Sequence, residues 1–375
     1  MNYSFIESDK ELEQVCQDLM KEEVIGVDLE SDSLHNFREK ICLIQVGTRH
    51  QAFLADPFKI QNMTPFARVL ENPDIIKVFH GADYDIRSLD RDYQAEVKNL
   101  FDTEIACRFL GIKERGLASL LKKYFNVMIN KKFQKEDWSQ RPLDSEMVEY
   151  SVGDVAYLLE LHHILTQALK EKGRLSWAME ESHIQTKVRY GNNHSSPLFE
   201  KFKGAGTLDR RSLAVLENLL QMRLELAQKK DRPLFKIISN SSIMDLALMK
   251  PLTVEKIMNS KTLSPKQALM YAKLCVAAIK EAMNLNEQDL PSYPKKKGYK
   301  KNVQVEKQIK KLKTMRNKYS KDMNIEPGFL LNNALIEEIA IKNPQTREEL
   351  GNLNSIRQWQ LDVLGEAIFE QNPLH

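Results

Sequence analysis

Apolar residues in the first half of the chain come in short runs. VIGVDL (24–29), ICLIQV (41–46), QAFLAD (51–56) and IIKVFH (75–80) are rich in β-branched and other apolar side chains, and polar turns separate them. This is the pattern of buried strands. The first three lie close enough together for an antiparallel meander. Between and after them the spacing turns helical, predicting a helix over 65–71, a helical stretch opening at 86–89, and helices over 103–110 and 117–124. Leu143, Met147, Tyr150, Val155, Leu158, Leu159 and Leu161 predict one long helix from about 143 to 170. Strands flanked by helices in this order predict a mixed α/β sheet.

The pattern changes after residue 182. A stretch rich in Gly, Asn, Ser and Pro, GNNHSSPLFEKFKGAG (191–206), reads as an interdomain linker. Beyond it strand signals vanish and helix signals dominate. The second half also repeats itself. Met222, Arg223, Pro233, Phe235, Ala247, Pro251, Thr253 and Glu255 recur as Met315, Arg316, Pro327, Phe329, Ala340, Pro344, Thr346 and Glu348, in the same order at a nearly constant offset. Two copies of one small helical domain follow from this. NEQDLPSYPKKKGYKKN (286–302), with its prolines and lysines, predicts a flexible basic linker between them. The expected organisation is an α/β domain over 1–182, a linker over 183–206, helical domains over 207–285 and 303–375, and the basic linker at 286–302.

Composition adds two points. Of the 375 residues, 42% are hydrophobic, enough for several cores, while 29% are charged and the mean hydropathy is −0.45, so no membrane partner is expected. No apolar run approaches the length of a membrane span, and MNYSFIESDKELEQV carries no signal-peptide pattern. Cys16, Cys42, Cys107 and Cys275 are scattered without metal-binding spacing, which suits buried thiols in a reducing cytoplasm. The charge is also divided unevenly. Residues 1–182 hold 23 Lys/Arg against 32 Asp/Glu, a net of −9, and residues 183–375 hold 32 against 20, a net of +12. An acidic half joined to a basic half suggests chemistry in one and polyanion binding in the other.

The candidate chemistry lies in the acidic half. Asp28 and Glu30 sit two apart at the end of a strand-like run, so both side chains point to one face. Tyr150 and Asp154 are four apart on a predicted helix and share a face there. Asp85 follows the strand at 75–80. Hard divalent cations such as Mg²⁺ or Mn²⁺ take oxygen ligands, and a pair of them can activate water against a phosphodiester. Asp83, Asp90, Asp102 and Glu104 are neighbouring acids able to imitate these roles, and Asp85 also fits a helix N-cap.

VDLES, HGADYD and YSVGD together resemble the three motifs of the DEDD exonuclease superfamily in its tyrosine-bearing branch. GLASLLKKYF and KKFQKEDWSQRPL resemble the segment before the third motif in the ribonuclease D family, and the two helical repeats resemble HRDC domains. The resemblance covers essentially the whole chain. It implies a ribonuclease H-like exonuclease fold followed by two all-α HRDC domains. It further implies that Asp28, Glu30, Asp85 and Asp154 ligate two divalent ions while Tyr150 orients the attacking water. The implied reaction is 3′→5′ removal of nucleoside 5′-monophosphates from RNA with a free 3′ end, tRNA precursors being the family's best-known substrates. The same chemistry on DNA is the alternative. No P-loop pattern and no obligate protein partner are evident, so a monomer is expected.

Around this centre, His80 and Leu29 are candidates to hold the terminal nucleotide. Lys131, Lys132, Trp138 and Arg141 supply positive charge and one aromatic ring, residue types that bind phosphates and stack bases. In the first repeat Arg223, Lys229, Lys230, Arg232 and Lys236 are expected to track phosphates.

Overall fold

The computed structural model describes residues 1–129, 131–191, 197–294, 302–353 and 355–371. The chain divides into two compact units that do not follow its linear order. One comprises Met1–Ser31, Ile41–Tyr190 and Tyr299–His375, the other Asp32–Lys40 and Gly191–Gly298.

In the first unit the described residues build a sheet from β1 (Asn2–Ile6), β2 (Val24–Ser31), β3 (Ile41–Gly47), β4 (Gln51–Ala55), β5 (Ile76–Phe79) and β6 (Leu100–Asp102), in the order β1-β4-β3-β2-β5-β6. β2, β3 and β4 form the antiparallel meander. β1 pairs with β4, β5 with β2, and β6 with β5, all parallel. The mixed sheet agrees with the sequence pattern. β1 and the three-residue β6 are additions to it.

The two faces of β2 have different fates. Ile25, Val27 and Leu29 enter a core with Leu12, Cys16 and Leu19 of α1 (Asp9–Leu19), Phe66, Val69 and Leu70 of α2 (Thr64–Glu71), and Ile86 and Leu89 of α3 (Asp83–Tyr93). The opposite face carries Gly26, Asp28 and Glu30. The remaining helices of this domain are α4 (Thr103–Leu110), α5 (Leu117–Phe125), α6 (Ser145–Ala156), α7 (Leu158–Glu171) and α8 (Leu175–Gln185). A Cβ on Gly26 would come within 3.0 Å of Leu158 Cβ, and one on Gly47 within 2.8 Å of the Val155 carbonyl oxygen. Glycine at these points therefore lets α6 and α7 lie close against the sheet.

The single long helix expected over 143–170 is two helices. Tyr157, with φ −116° and ψ 3°, breaks it. Val155, Leu158, Leu161, Leu165 and Leu169 are all buried across the break, so the apolar stripe runs on at helical spacing and hides the bend.

The helical repeat is visible element by element. The first copy contains α9 (Arg210–Lys230), α10 (Leu234–Ile237), α11 (Asn240–Met249), α12 (Val254–Ser260) and α13 (Pro265–Met283). The second contains α14 (Val303–Met323), α15 (Pro327–Leu330), α16 (Asn333–Lys342), α17 (Arg347–Gly351) and α18 (Gln358–Gln371). Each helix of the second copy starts 93 residues after its counterpart. Of the linker expected at 286–302, residues 295–301 lie outside the described residues, as do 192–196 of the one at 183–206. No described helix is long and apolar enough to cross a membrane.

The second copy shares the exonuclease-side unit and its core. Trp359 of α18 packs edge-on to Phe109 and stacks on Trp177. Its Nε1 donates to Glu181, while Glu180 accepts from the backbone N–H groups of Gln358 and Trp359. The first copy has a core of its own around Leu216, Ile243 and Ile279 in the second unit.

Candidate active site

Asp28 and Glu30 sit opposite Gln45 and Leu43 of β3, on the face where α6 packs. Asp154, in the last turn of α6, meets them there. Ligand oxygens of Asp28, Glu30 and Asp154 all lie within 4.8 Å of one another. Tyr150, one turn earlier on α6, lines the same cavity of about 360 Å³, together with Leu29, His80, Leu117, Ile129 and Gln134. Its ring packs near Phe133 and Trp138.

Asp85 enters from the first turn of α3, 8% exposed, and its carboxylate feels that of Asp28. The loop that delivers it is clamped by Asp102, at the end of β6. This carboxylate accepts the backbone N–H groups of Gly81, Ala82 and Glu104 at 2.8–2.9 Å. Gly81 adopts a left-handed conformation (φ 75°), which glycine enters without strain. Sequence spacing left Asp102 among several look-alike acids; nothing in it marks the clamp.

His80 is oriented through its Nδ1, 2.8 Å from Thr103 Oγ1. That hydroxyl gives its one proton to the Phe79 carbonyl oxygen. Nδ1 of His80 therefore carries a proton and donates it to Thr103. Burial lowers the imidazole pKa below its usual value, so the ring is neutral at physiological pH with Nε2 bare.

The electrostatics of the cluster are unfavourable by themselves. Burial pushes the Asp28 carboxyl up to about 7. Glu30 and Asp154 are driven well above the usual carboxylate range by burial and then by neighbouring carboxylates, and Asp85 likewise. Burial and these acids also raise the Tyr150 pKa, so its hydroxyl keeps its proton at neutral pH. Buried like charges at this separation call for a counter-charge. An all-oxygen donor set fits a hard divalent cation.

Several expected nucleic-acid contacts are absent from this arrangement. Trp138 is 1% exposed and its Nε1 donates to the Phe133 carbonyl oxygen, so it is core rather than a stacking platform. Arg141 forks onto Asp56 at 2.7 and 2.8 Å and also donates to the carbonyl oxygens of Cys42, Trp138 and Gln140. Its donors are engaged within the fold, tying β3, the Asp56 turn and the 138–141 segment together. Arg223 is 4% exposed and its Nη1 donates to the Ile238 carbonyl oxygen and Asn240 Oδ1. Arg316 does the same to Leu331 and Asn333 in the second copy. The recurring Met-Arg pair is thus a structural clamp, and Arg223 holds the repeat together instead of touching phosphate. Lys132 is exposed, over the Phe133 ring and 4.0 Å from Glu146. The side chain of Lys131 lies outside the described residues.

Comparison with known proteins agrees with this architecture. Residues 3–170 match the 3′-5′ exonuclease family profile, and residues 212–279 and 306–370 each match the HRDC domain. The catalytic core of RRP6 from Trypanosoma brucei is 30% identical and superposes with a TM-score of 0.66 over 75% of this chain and 79% of that one. The chain belongs to the 3′-5′ exonuclease family that includes RRP6. Among curated relatives, the protein RRP6-like 3 of Arabidopsis thaliana is 32% identical over 68% of this chain. This exonuclease-family chain spans only 32% of that relative's length. Escherichia coli RNase D shares the fold from end to end, with a TM-score of 0.74 over 99% of this chain and 98% of that one at 24% identity. Members of the exonuclease family generally work with divalent metal ions, as the carboxylate set here suits.

Proposed function

We propose that the chain is a divalent-metal-dependent 3′→5′ exoribonuclease that releases nucleoside 5′-monophosphates from the 3′ ends of stable RNA precursors, tRNA among them, in the cytoplasm. The observation that carries this reading is the convergence of Asp28, Glu30 and Asp154 from a strand and a helix to within 4.8 Å, with Asp85 beside them. Asp28, Glu30, Asp85 and Asp154 would hold two ions, Mg²⁺ or Mn²⁺, which would offset the crowded charge and supply water of lowered pKa.

Every other part is played by the chain itself. Tyr150 holds its proton and orients the attacking water by hydrogen bonding. The cavity walls, Leu117 and Ile129 among them, exclude bulk water around the terminal nucleotide. His80 offers Nε2 as an acceptor for a sugar hydroxyl, with its ring fixed by Thr103. Four buried free thiols suit a reducing compartment.

The test is hydrolysis of a 3′-extended RNA and the matching DNA with Mg²⁺, then with EDTA, by the native chain and by Asp28→Asn. Mononucleotide release from RNA that stops with EDTA or with the substitution is the expected result. RNA decay persisting in either condition would overturn the metal mechanism, and equal rates on DNA would overturn the RNA assignment.

A further inference from the structure

One fully buried polar side chain in the exonuclease domain is left without a bond. Gln45 of β3 is 0% exposed, and neither its Oε1 nor its Nε2 has a hydrogen-bond partner. A buried amide in this state costs stability, so its neighbours are informative. Along β3, Leu43 and Gly47 share its face. Across the ladders, Gln45 pairs with Leu54 of β4 and with Asp28 of β2. Val155 of α6 and Leu158 of α7 cover the same face, close against Gly47 and Gly26. Of the neighbours within the sheet, Asp28 alone carries a polar side chain. β3 lies between β4 and β2, so the sheet backbone beside the amide is committed to its ladders.

Other parts of the site have a visible support. Asp102 clamps the turn before Asp85, and Thr103 fixes the His80 ring. Asp154 accepts the Tyr150 hydroxyl. Among the described residues no side chain donates to Asp28. Opposed residues of an antiparallel pair hold their Cβ atoms about 4.5–5.5 Å apart. A glutamine side chain spans that gap, and its Nε2 offers two N–H groups where an ionised carboxylate only accepts. The orphaned amide and the unsupported carboxylate are therefore matched in chemistry and in register.

We propose that Gln45 is a positioning residue for the carboxylate centre: its Nε2 donates to one oxygen of the Asp28 carboxylate and leaves the other oxygen to a divalent cation. The inference rests on the metal-dependent reading of the site and adds a residue to it. Gln45 touches neither substrate nor ion; it acts through Asp28. A bond from an amide to a carboxylate is charge-assisted and of the stronger kind. Partners of this sort fix the orientation of a ligating side chain, and metal affinity falls when they are removed. A purely structural glutamine, by contrast, serves no purpose that an apolar residue of the same size would not serve better, because its amide is unpaired within the fold.

Gln45→Met in the full chain keeps the length of the side chain and removes both polar atoms. Thr166→Val is the control, since Thr166 Oγ1 is also buried without a partner but lies on α7, outside the lining of the site cavity. Mn²⁺ is titrated into each chain with AMP present, the free ion being read by electron paramagnetic resonance, and melting curves are recorded in EDTA. The metal-free Gln45→Met chain is expected to melt at or above the native temperature while its Mn²⁺ affinity falls about 10–100-fold. Thr166→Val is expected to bind Mn²⁺ as the native chain does. Native Mn²⁺ affinity in Gln45→Met, or an equal loss in Thr166→Val, would overturn the proposal. Should Gln45→Met melt below the native chain, Gln45→Leu replaces it with the same two outcomes. The underlying reading fails separately: no Mn²⁺ binding by the native chain removes the metal centre and the positioning role with it, whereas native binding that Gln45→Met matches removes the positioning role alone.

Discussion

Asp28 is where folding and chemistry pull hardest against each other. Its carboxyl is raised from an ordinary value near 4 to about 7 by burial. A raised acid is protonated more readily in the folded state than in the unfolded one. Its destabilising contribution is absent below the unfolded pKa, grows as pH rises through the interval between the two values, and is complete above about 7. The metal-free Asp28→Asn chain should therefore melt several degrees above the native chain at pH 8, with the gap closing towards pH 4. Mg²⁺ should reverse the order, raising the melting temperature of the native chain and leaving the variant unmoved. Thermal melts with and without EDTA at the two pH values read both effects; a variant less stable than the native metal-free chain at pH 8 would contradict the charge-crowding argument. Tyr150 acts by position, since its raised pKa keeps it protonated. Tyr150→Phe should lower kcat on the order of 10²-fold, the usual loss for one aligned hydrogen bond in a transition state, with Mg²⁺ affinity nearly unchanged. Comparable losses in both would recast the tyrosine as part of the metal site. Arg141 shows the reverse case, a residue whose chemistry suggests a ligand and whose neighbours make it structural. Removing it strands Asp56, 1% exposed, and Arg141→Ala should cost about 3–5 kcal/mol of stability by denaturant titration. A loss below about 1 kcal/mol would show that the fork contributes little.

At the scale of elements, the site depends on how near α6 comes to the sheet. Gly47→Ala would set a methyl 2.8 Å from a backbone oxygen of Val155, and backbone yields only if the helix moves. Asp154 and Tyr150 ride on that helix, so a displacement of about 1 Å is expected to lower activity on the order of 10²-fold. Gly328→Ala, with nothing within 4 Å of the added carbon, is the matched control. Steady-state kinetics beside a melting curve decide the point, and native kcat in Gly47→Ala would mean the helix has slack. The same element shows what sequence pattern can and cannot reveal. Asp28 and Glu30 were legible because strand periodicity alone puts them on one face, and Tyr150 with Asp154 because helical periodicity does so over four residues. The break at Tyr157 was not, since the buried stripe from Val155 to Leu169 continues across it. β6 was too short to leave a periodic signal, and β1 lies in a run whose Asn2, Tyr3 and Ser4 are not buried. Trp138, Arg141 and Arg223 were misread for one reason. Composition reports that a cation or a ring is present, while only the fold decides whether its donors are already used.

For the molecule as a whole, linear order and physical grouping part company. The acidic exonuclease domain shares a core with the more distant repeat, through Phe109, Trp177, Phe329 and Trp359, and Arg115 bridges Glu104 and Glu326 across the same junction. Two bodies fused through buried aromatics should open together, because exposing one face of that core exposes the other. Trp359→Ala removes a 1% exposed indole and leaves Glu181 without the Nε1–H it accepts, a loss expected to be about 3–5 kcal/mol. Hydrogen exchange can locate the damage. If the core is shared, protection falls in α4 and α8 as well as in α18, while α9 and α13 of the first repeat, which pack in the other unit, keep theirs. Faster exchange confined to 303–371 would mean that the second repeat is a passenger on the exonuclease surface. Loss extending to α4 would mean instead that the second repeat is built into the body that carries the acids, the two opening as one unit through the aromatics they share.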